Sequence, residues 1–224
     1  MDSILKIYDV KWTSNTAGPS PDGNRRTEIF IRGCKKAAEG NPCKGCFNPK
    51  LWNDTDTAIG RPPREIAEMV DEHAPNKFVT IVGGEPLDQV RPLAELVSWL
   101  KFYGFHIILF THYTLEKIKI ATVADEEYGD DYLALFQNVD VLVDGEYDAS
   151  QRIYDDEAGD GLHDAIGSAN QVVWDIRGWR NGDSGTIDGL RAGELAGLYI
   201  CPDGGIRYIT KTEDAAFLTE ELVA

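Results

Sequence analysis

Short apolar runs alternate with amphipathic stretches along most of this chain. "SILKIYDV" (3–10) and "TEIFIR" (27–32) are rich in branched and aromatic residues and predict strands, separated by a Gly/Pro/Asn/Ser segment. In "RPPREIAEMVDEHA" the prolines sit where a helix begins, and Ile66, Met69, Val70 and His73 recur three or four positions apart on one face. "KFVTIV" (77–82) is a nearly continuous apolar strand. "DQVRPLAELVSWLKFYG" then places Val90, Leu93, Val97 and Leu100 on one helical stripe, with Gly104 as a stop. "FHIILFT" (105–111) predicts a strand, "TLEKIKIA" a short helix, 124–136 a second helical piece, and "VDVLV" (139–143) a further strand. Residues 155–169 are rich in Asp and Gly and read as loop, and "NQVVWDI" (170–176) as strand.

Buried strands alternating with amphipathic helices predict βα units, a parallel sheet and right-handed crossovers, an α/β fold. Beyond residue 177 the alternation weakens. "GWRNGDSGTIDG" is loop-like, "GLYICPDGGIRYIT" predicts a hairpin about Asp203-Gly204-Gly205, and "TEDAAFLTEELVA" a closing helix. The expected organisation is a core domain over 1–177 and an extension over 178–224 packed on it.

Composition narrows the function classes. The chain has 224 residues, 38 acidic against 22 basic, for a formal charge of −16. That surface disfavours nucleic acid and anionic membranes, because phosphate-neutralising cations are outnumbered. No apolar run approaches the roughly 20 residues of a membrane helix. "MDSILKIYDVKW" lacks the basic-then-apolar character of a signal peptide, so a cytoplasmic location is expected. In that compartment four cysteines point to metal binding, catalysis or burial before disulfides.

Three of those cysteines share one loop, "GCKKAAEGNPCKGCFNP". The Cys43-x2-Cys46 spacing lets both thiolates reach one centre, Gly45 frees the backbone to curl, and Gly40-Asn41-Pro42 supplies a turn that brings Cys34 back. A structural zinc site wants four ligands, with Cys201 the candidate fourth; three thiolates alone suit a 4Fe–4S cluster with one iron open. Burial accounts for Cys201 alone more readily than for three thiols around Gly and Pro. The predicted strands at 27–32, 77–82, 105–111 and 139–143 run into the cysteine loop, "GGEPLDQ", "THYT" and "DGEYD", which gather where parallel α/β folds bind ligands. Gly83 and Gly84 permit close approach of backbone to a small ligand, and Glu85 offers a carboxylate to an ammonium group.

These residues resemble the radical S-adenosylmethionine superfamily, and within it the activating proteins of anaerobic (class III) ribonucleoside-triphosphate reductases. The resemblance is carried by "FIRGC" (30–34), "CKGCFNPKLW" (43–52), "GGEPLDQ" (83–89), "THYTLEKI" (111–118), "VDVLVDGEYD" (139–148) and "GSANQVV" (167–173), and covers roughly residues 1–177. It implies a partial (β/α) barrel of parallel strands with a C-terminal hairpin and helix appendage. It further implies that Cys34, Cys43 and Cys46 each ligate one iron of a 4Fe–4S cluster whose fourth iron is chelated by S-adenosylmethionine. Gly83, Gly84 and Glu85 would line the methionine end, Thr111 and Tyr113 would lie near the nucleoside, and Asp144 and Asn170 are further site candidates. Three departures stand out. Eight residues separate the first two cysteines where three are usual, "SPDGNRR" only approximates an Asp-Gly-Pro-Gly turn, and His112 occupies a position where glycine is frequent.

The implied activity is generation of a glycyl radical on a partner reductase, with reduced flavodoxin or ferredoxin as electron donor and no catalytic side chain beyond the cluster and its cofactor. Other readings are a pyruvate formate-lyase activase, a 7-carboxy-7-deazaguanine synthase, a non-catalytic metal module using Cys201, and an acidic interaction protein with unused thiols.

Overall fold

A computed structural model of the chain describes residues 3–14, 18, 20, 25–53, 59–153, 167–178, 189–204 and 206–210. Eight strands form one sheet: β1 (Leu5–Ser14), β2 (Arg26–Ile31), β3 (Ile59–Arg61), β4 (Phe78–Gly83), β5 (His106–Phe110), β6 (Val141–Asp144), β7 (Val172–Asp175) and β8 (Gly189–Arg191), in the order β3-β1-β2-β4-β5-β6-β7-β8. Parallel pairing joins only the central four, β2, β4, β5 and β6. β1 and β7 pair antiparallel with the outer two of these, and β3 and β8 in turn pair antiparallel with β1 and β7. The expected all-parallel arrangement is therefore corrected to a mixed, open sheet. The link from β1 to β2 is too short for the crossover that a parallel pair demands, so those strands pair antiparallel. β3 and β8 were not visible as strands in the sequence, being too short to show a period. β8 builds a strand from beyond residue 177 into the main sheet.

The helices α2 (Pro63–His73), α3 (Val90–Phe102), α4 (Leu115–Ala124) and α5 (Gly129–Asn138) follow the expected order, and a single-turn α1 (Lys35–Ala38) lies in the cysteine loop. Pro63 opens α2, where its missing N–H costs nothing. Ile66, Val70, Leu93, Val97 and Leu100 are buried as their spacing predicts, while His73 lies exposed at the helix end and stacks on Trp12. The row Ile29, Ile81, Leu109 and Leu142, paired strand to strand, faces these helices in one core.

On the opposite face Ile108, Val141, Val143 and Val173 pack against Ala192, Leu195, Leu198 and Ile200 in a second cluster. Three of these belong to the hairpin of β9 (Leu195–Ile200) and β10 (Ile206–Thr210), which forms where the Asp-Gly-Gly turn predicts. The predicted helix over 212–224 and most of the predicted loop over 155–169 lie outside the described residues. Among the described residues no helix is long and apolar enough to cross a membrane.

Arg26 is fully buried below this second face; it donates to Thr80 Oγ1 (2.8 Å), Val79 O (2.6 Å) and His106 O (3.1 Å), and its Nη2 lies 3.1 Å from His106 Nδ1. With Nδ1 accepting from the guanidinium, His106 carries its proton on Nε2, which faces Gly204 O of the hairpin turn at 3.2 Å. Burial, reinforced by Arg26, pushes the imidazole down to about 4. The unfolded chain therefore binds the additional proton between about pH 6.5 and 4 and the folded chain does not, so stability falls as pH drops through that window. Urea unfolding at pH 7 and pH 4.5 should show this loss, and His106→Gln should reduce its size.

Candidate metal centre and ligand cavity

The parallel strands bring the loops after β2, β4, β5 and β6 to one edge, where they surround a cavity of about 650 Å³. Phe30, Val82 and Phe110 form its sheet wall, and Cys34, Cys43 and Cys46 all line it, with Gly83, Gly84, Glu85, Thr111 and His112.

The cysteine loop is closed at its neck by backbone bonds, Gly33 N to Leu51 O (2.8 Å) and Cys34 N to Trp52 O (3.1 Å). The eight residues between Cys34 and Cys43 are folded, not extended. They make α1 and a turn at Gly40, with Ala37 lining the cavity and Lys35 N donating to Asp88 Oδ2 (2.5 Å). The far side of the loop is clasped by the segment after β6. Ala149 N donates to Lys44 O (2.9 Å), Lys36 pairs with Glu146 (3.2 Å) and Phe47 packs on Tyr147 at 4.2 Å between ring centres. Gly45, at φ +71°, leaves no room for a side chain, since a Cβ would lie 2.5 Å from that of Ala149.

The missing side chains of Gly83 and Gly84 are used by the protein's own backbone. A Cβ on Gly83 would stand 2.2 Å from Ile31 O, and one on Gly84 2.0 Å from Gly33 O. That contact lets Gly84 N reach Ile31 O (2.9 Å) and Glu85 N reach Gly33 O (2.7 Å), tying the Gly-Gly-Glu turn to the residue before Cys34. Glu85 is 1 % exposed. Its Oε1 accepts from Leu87 N (2.9 Å) and Thr111 Oγ1 (2.7 Å), and its Oε2 accepts from His112 N (2.8 Å) and lies 2.6 Å from His112 Nδ1.

Tyr113, Asp144 and Asn170 stand outside the cavity lining. Tyr113 Oη donates to Asp88 Oδ1 (3.0 Å), the carboxylate that also holds Lys35 N. Asp144 accepts from Leu115 N (2.5 Å) at the start of α4, and burial pushes its carboxyl up. Asn170 Nδ2 donates to Glu146 O (2.8 Å), while the next residue, Gln171, lines the cavity and joins Gly145 O to Gly167 N and Ser168 N. Asp88 and Gln171 were not singled out from the sequence, and His112 stood out only as a departure from a frequent glycine, with no role assigned. For His112 and Gln171 the available signal was their place just after and just before a strand; for Asp88 it was membership of the turn that follows β4.

Burial raises both thiols: it pushes Cys34 to about 11, against the pull of the Ala37 amide, and it shifts Cys43 upward, against that of the Tyr147 amide. Cys46 Sγ accepts from Trp52 Nε1 (3.3 Å) and Asn48 N (3.4 Å). Among the described residues no three His, Cys, Asp or Glu side chains converge as ligands of one metal ion would. Thiolates of a four-iron cluster each take a separate iron, so three suffice, whereas a structural zinc wants four ligands on one ion. Cys201 sits in the β9–β10 turn and is not in the lining.

A family of proteins described as a 4Fe-4S single cluster domain matches residues 21–174. The chain belongs to that family. It is 28% identical over 164 residues to the anaerobic ribonucleoside-triphosphate reductase-activating protein of Pasteurella multocida (strain Pm70), covering 68% of this chain and 88% of that one. It is also 33% identical over 115 residues to the pyruvate formate-lyase-activating enzyme of Staphylococcus aureus (strain USA300), covering 47% of this chain and 40% of that one. This member of the family is a radical S-adenosylmethionine enzyme of the glycyl-radical-activating kind, with a 4Fe–4S cluster and S-adenosylmethionine as cofactors. The donor set suits the cluster: three half-buried thiols on one cavity wall, with N–H groups aimed at the sulfur of Cys46.

Gly84→Ala must push the Glu85 turn away from Gly33, costing about 3 kcal/mol. Thermal unfolding should show the loss, and iron retained after anaerobic reconstitution should fall with it.

Proposed function

We propose that this chain activates an anaerobic ribonucleoside-triphosphate reductase by generating a glycyl radical on its glycyl radical subunit. The observation that carries this reading is extent: the likeness spans 88% of the Pasteurella reductase-activating protein but 40% of the Staphylococcus formate-lyase activator. In this reading Cys34, Cys43 and Cys46 each hold one iron, and Gly83, Gly84 and Glu85 meet the methionine end of S-adenosylmethionine. Thr111 orients Glu85 through its hydroxyl, and Tyr113 acts from behind the cavity by holding Asp88 against α1. Asp144 and Asn170 hold the surrounding loops in place.

Held by Cys34, Cys43 and Cys46, a reduced cluster would supply the electron for reductive cleavage of S-adenosylmethionine, the radical chemistry by which a hydrogen atom is removed from a glycine. The chain's own part is positioning and exclusion. Phe30, Val82 and Phe110 make the wall beside the thiols apolar, which keeps water from a reactive centre. The electron donor in this reading is flavodoxin or ferredoxin. At the cluster loop Lys35, Lys44 and Lys50 are exposed against Glu39, with Lys44 partly offset by Asp148 (3.3 Å), in a chain of net charge −16, and this local basic excess supports approach of an acidic donor.

The test is anaerobic reconstitution with iron and sulfide, reduction, and assay for 5′-deoxyadenosine and for a glycyl radical signal by electron paramagnetic resonance. The signal is expected on the reductase subunit and not on pyruvate formate-lyase. The opposite preference transfers the chain to the formate-lyase activators. A fully loaded cluster that yields no deoxyadenosine overturns the radical reading itself. Serine at Cys34, Cys43 or Cys46 should each lower iron content sharply, whereas Cys201→Ser should leave it unchanged.

A further inference from the structure

An ionised carboxylate offers about four acceptor positions. At Glu85 all four are taken: by Leu87 N and Thr111 Oγ1 at one oxygen, and by His112 N and His112 Nδ1 at the other. Two of these donors are backbone amides fixed by the turns that carry them. The third is a hydroxyl itself held by Tyr113 N (3.1 Å). The imidazole alone turns on free side-chain torsions, and it lines the cavity, stacked on the Tyr113 ring at 4.2 Å.

We propose that, with no ligand bound, the His112 imidazole holds the Glu85 Oε2 position as an internal stand-in for a ligand's amino N–H, and that it yields this position to the α-amino group of S-adenosylmethionine. The inference rests on the reading of Gly83–Glu85 as the methionine-end segment. A buried carboxylate with an unfilled acceptor position is costly, so a form without ligand needs a donor of its own there. A carboxylate already saturated accepts an amino N–H only when a donor leaves. His112 is the donor able to leave without unfolding a turn. The exchange also confers selectivity. A ligand with an amino group replaces the lost partner, whereas a ligand without one leaves Oε2 with the imidazole in place and gains nothing there.

The test uses the reconstituted, unreduced 4Fe–4S protein and equilibrium binding of two ligands: S-adenosylmethionine and its analogue with hydrogen in place of the α-amino group. His112→Phe keeps a ring against Tyr113 but removes the donor; His112→Gly is a second donor-less variant should phenylalanine not fit; His112→Gln keeps an N–H. The donor-less variant is expected to bind S-adenosylmethionine about tenfold more tightly than the parent protein, the gain of one uncontested hydrogen bond to a charged group. Its affinity for the deaminated analogue should be unchanged, and His112→Gln should resemble the parent. Weaker or equal binding of S-adenosylmethionine by both donor-less variants overturns the proposal, as does a shift common to both ligands. Failure of the parent protein to bind S-adenosylmethionine at full iron content is a different result: it removes the reading of Gly83–Glu85, and the inference with it.

Discussion

Where β4 ends, its backbone meets the backbone of Gly33 with no side chain between them, and the rest of the site depends on that contact. A single methyl group on Gly84 would overlap Gly33 O at 2.0 Å. Because nothing intervenes, Glu85 N bonds Gly33 O, and the residue before Cys34 is fixed to the residue that carries the buried carboxylate. Two loops that are far apart in sequence thereby become one wall. Thr111 and His112 then complete it from β5, since both of them donate to the same carboxylate. The clasp on the other side, through Lys44, Ala149 and the Phe47–Tyr147 pair, holds the loop that carries Cys43 and Cys46.

The sheet serves two purposes because its two faces differ. One face is covered by helices and excludes water over the full width of the four parallel strands. The other is divided: the β9–β10 hairpin covers the part near β6 and β7, and the part near β2 and β4 is left as cavity wall. The hairpin is pinned from below by the neutral His106, whose tautomer is set by the Arg26 guanidinium on one nitrogen and the Gly204 carbonyl on the other. Stability at the base of the sheet and openness at its top are thus separate properties, maintained by separate residues.

Much of this was legible in one dimension. Apolar runs located β2, β4, β5, β6 and β7 to within a residue or two, because burial on both faces leaves a continuous hydrophobic signature. The stripe Val90, Leu93, Val97 and Leu100 located α3 for the same kind of reason. The strand directions of the flanks were not legible, since an apolar run has the same composition whichever way it pairs. Nor was the work of Gly83 and Gly84. Two adjacent glycines announce a close approach, but the partner, a loop some 50 residues earlier, is visible only in the folded chain.

What the amino-acid sequence determined by itself is the chemistry: three thiols at a spacing suited to a cluster, a Gly-Gly-Glu turn after a strand, and a basic excess around the cysteines in a chain that is acidic as a whole. These are local properties, set by residue type and separation. The tertiary structure alone decided which groups meet. It turned the eight-residue gap into α1 anchored on Asp88, set Tyr113 and Asp144 behind the cavity, and brought Gln171 to its wall in place of Asn170. It also placed His112 against Glu85, because an oxygen's partners depend on distances across strands that no spacing along the chain specifies.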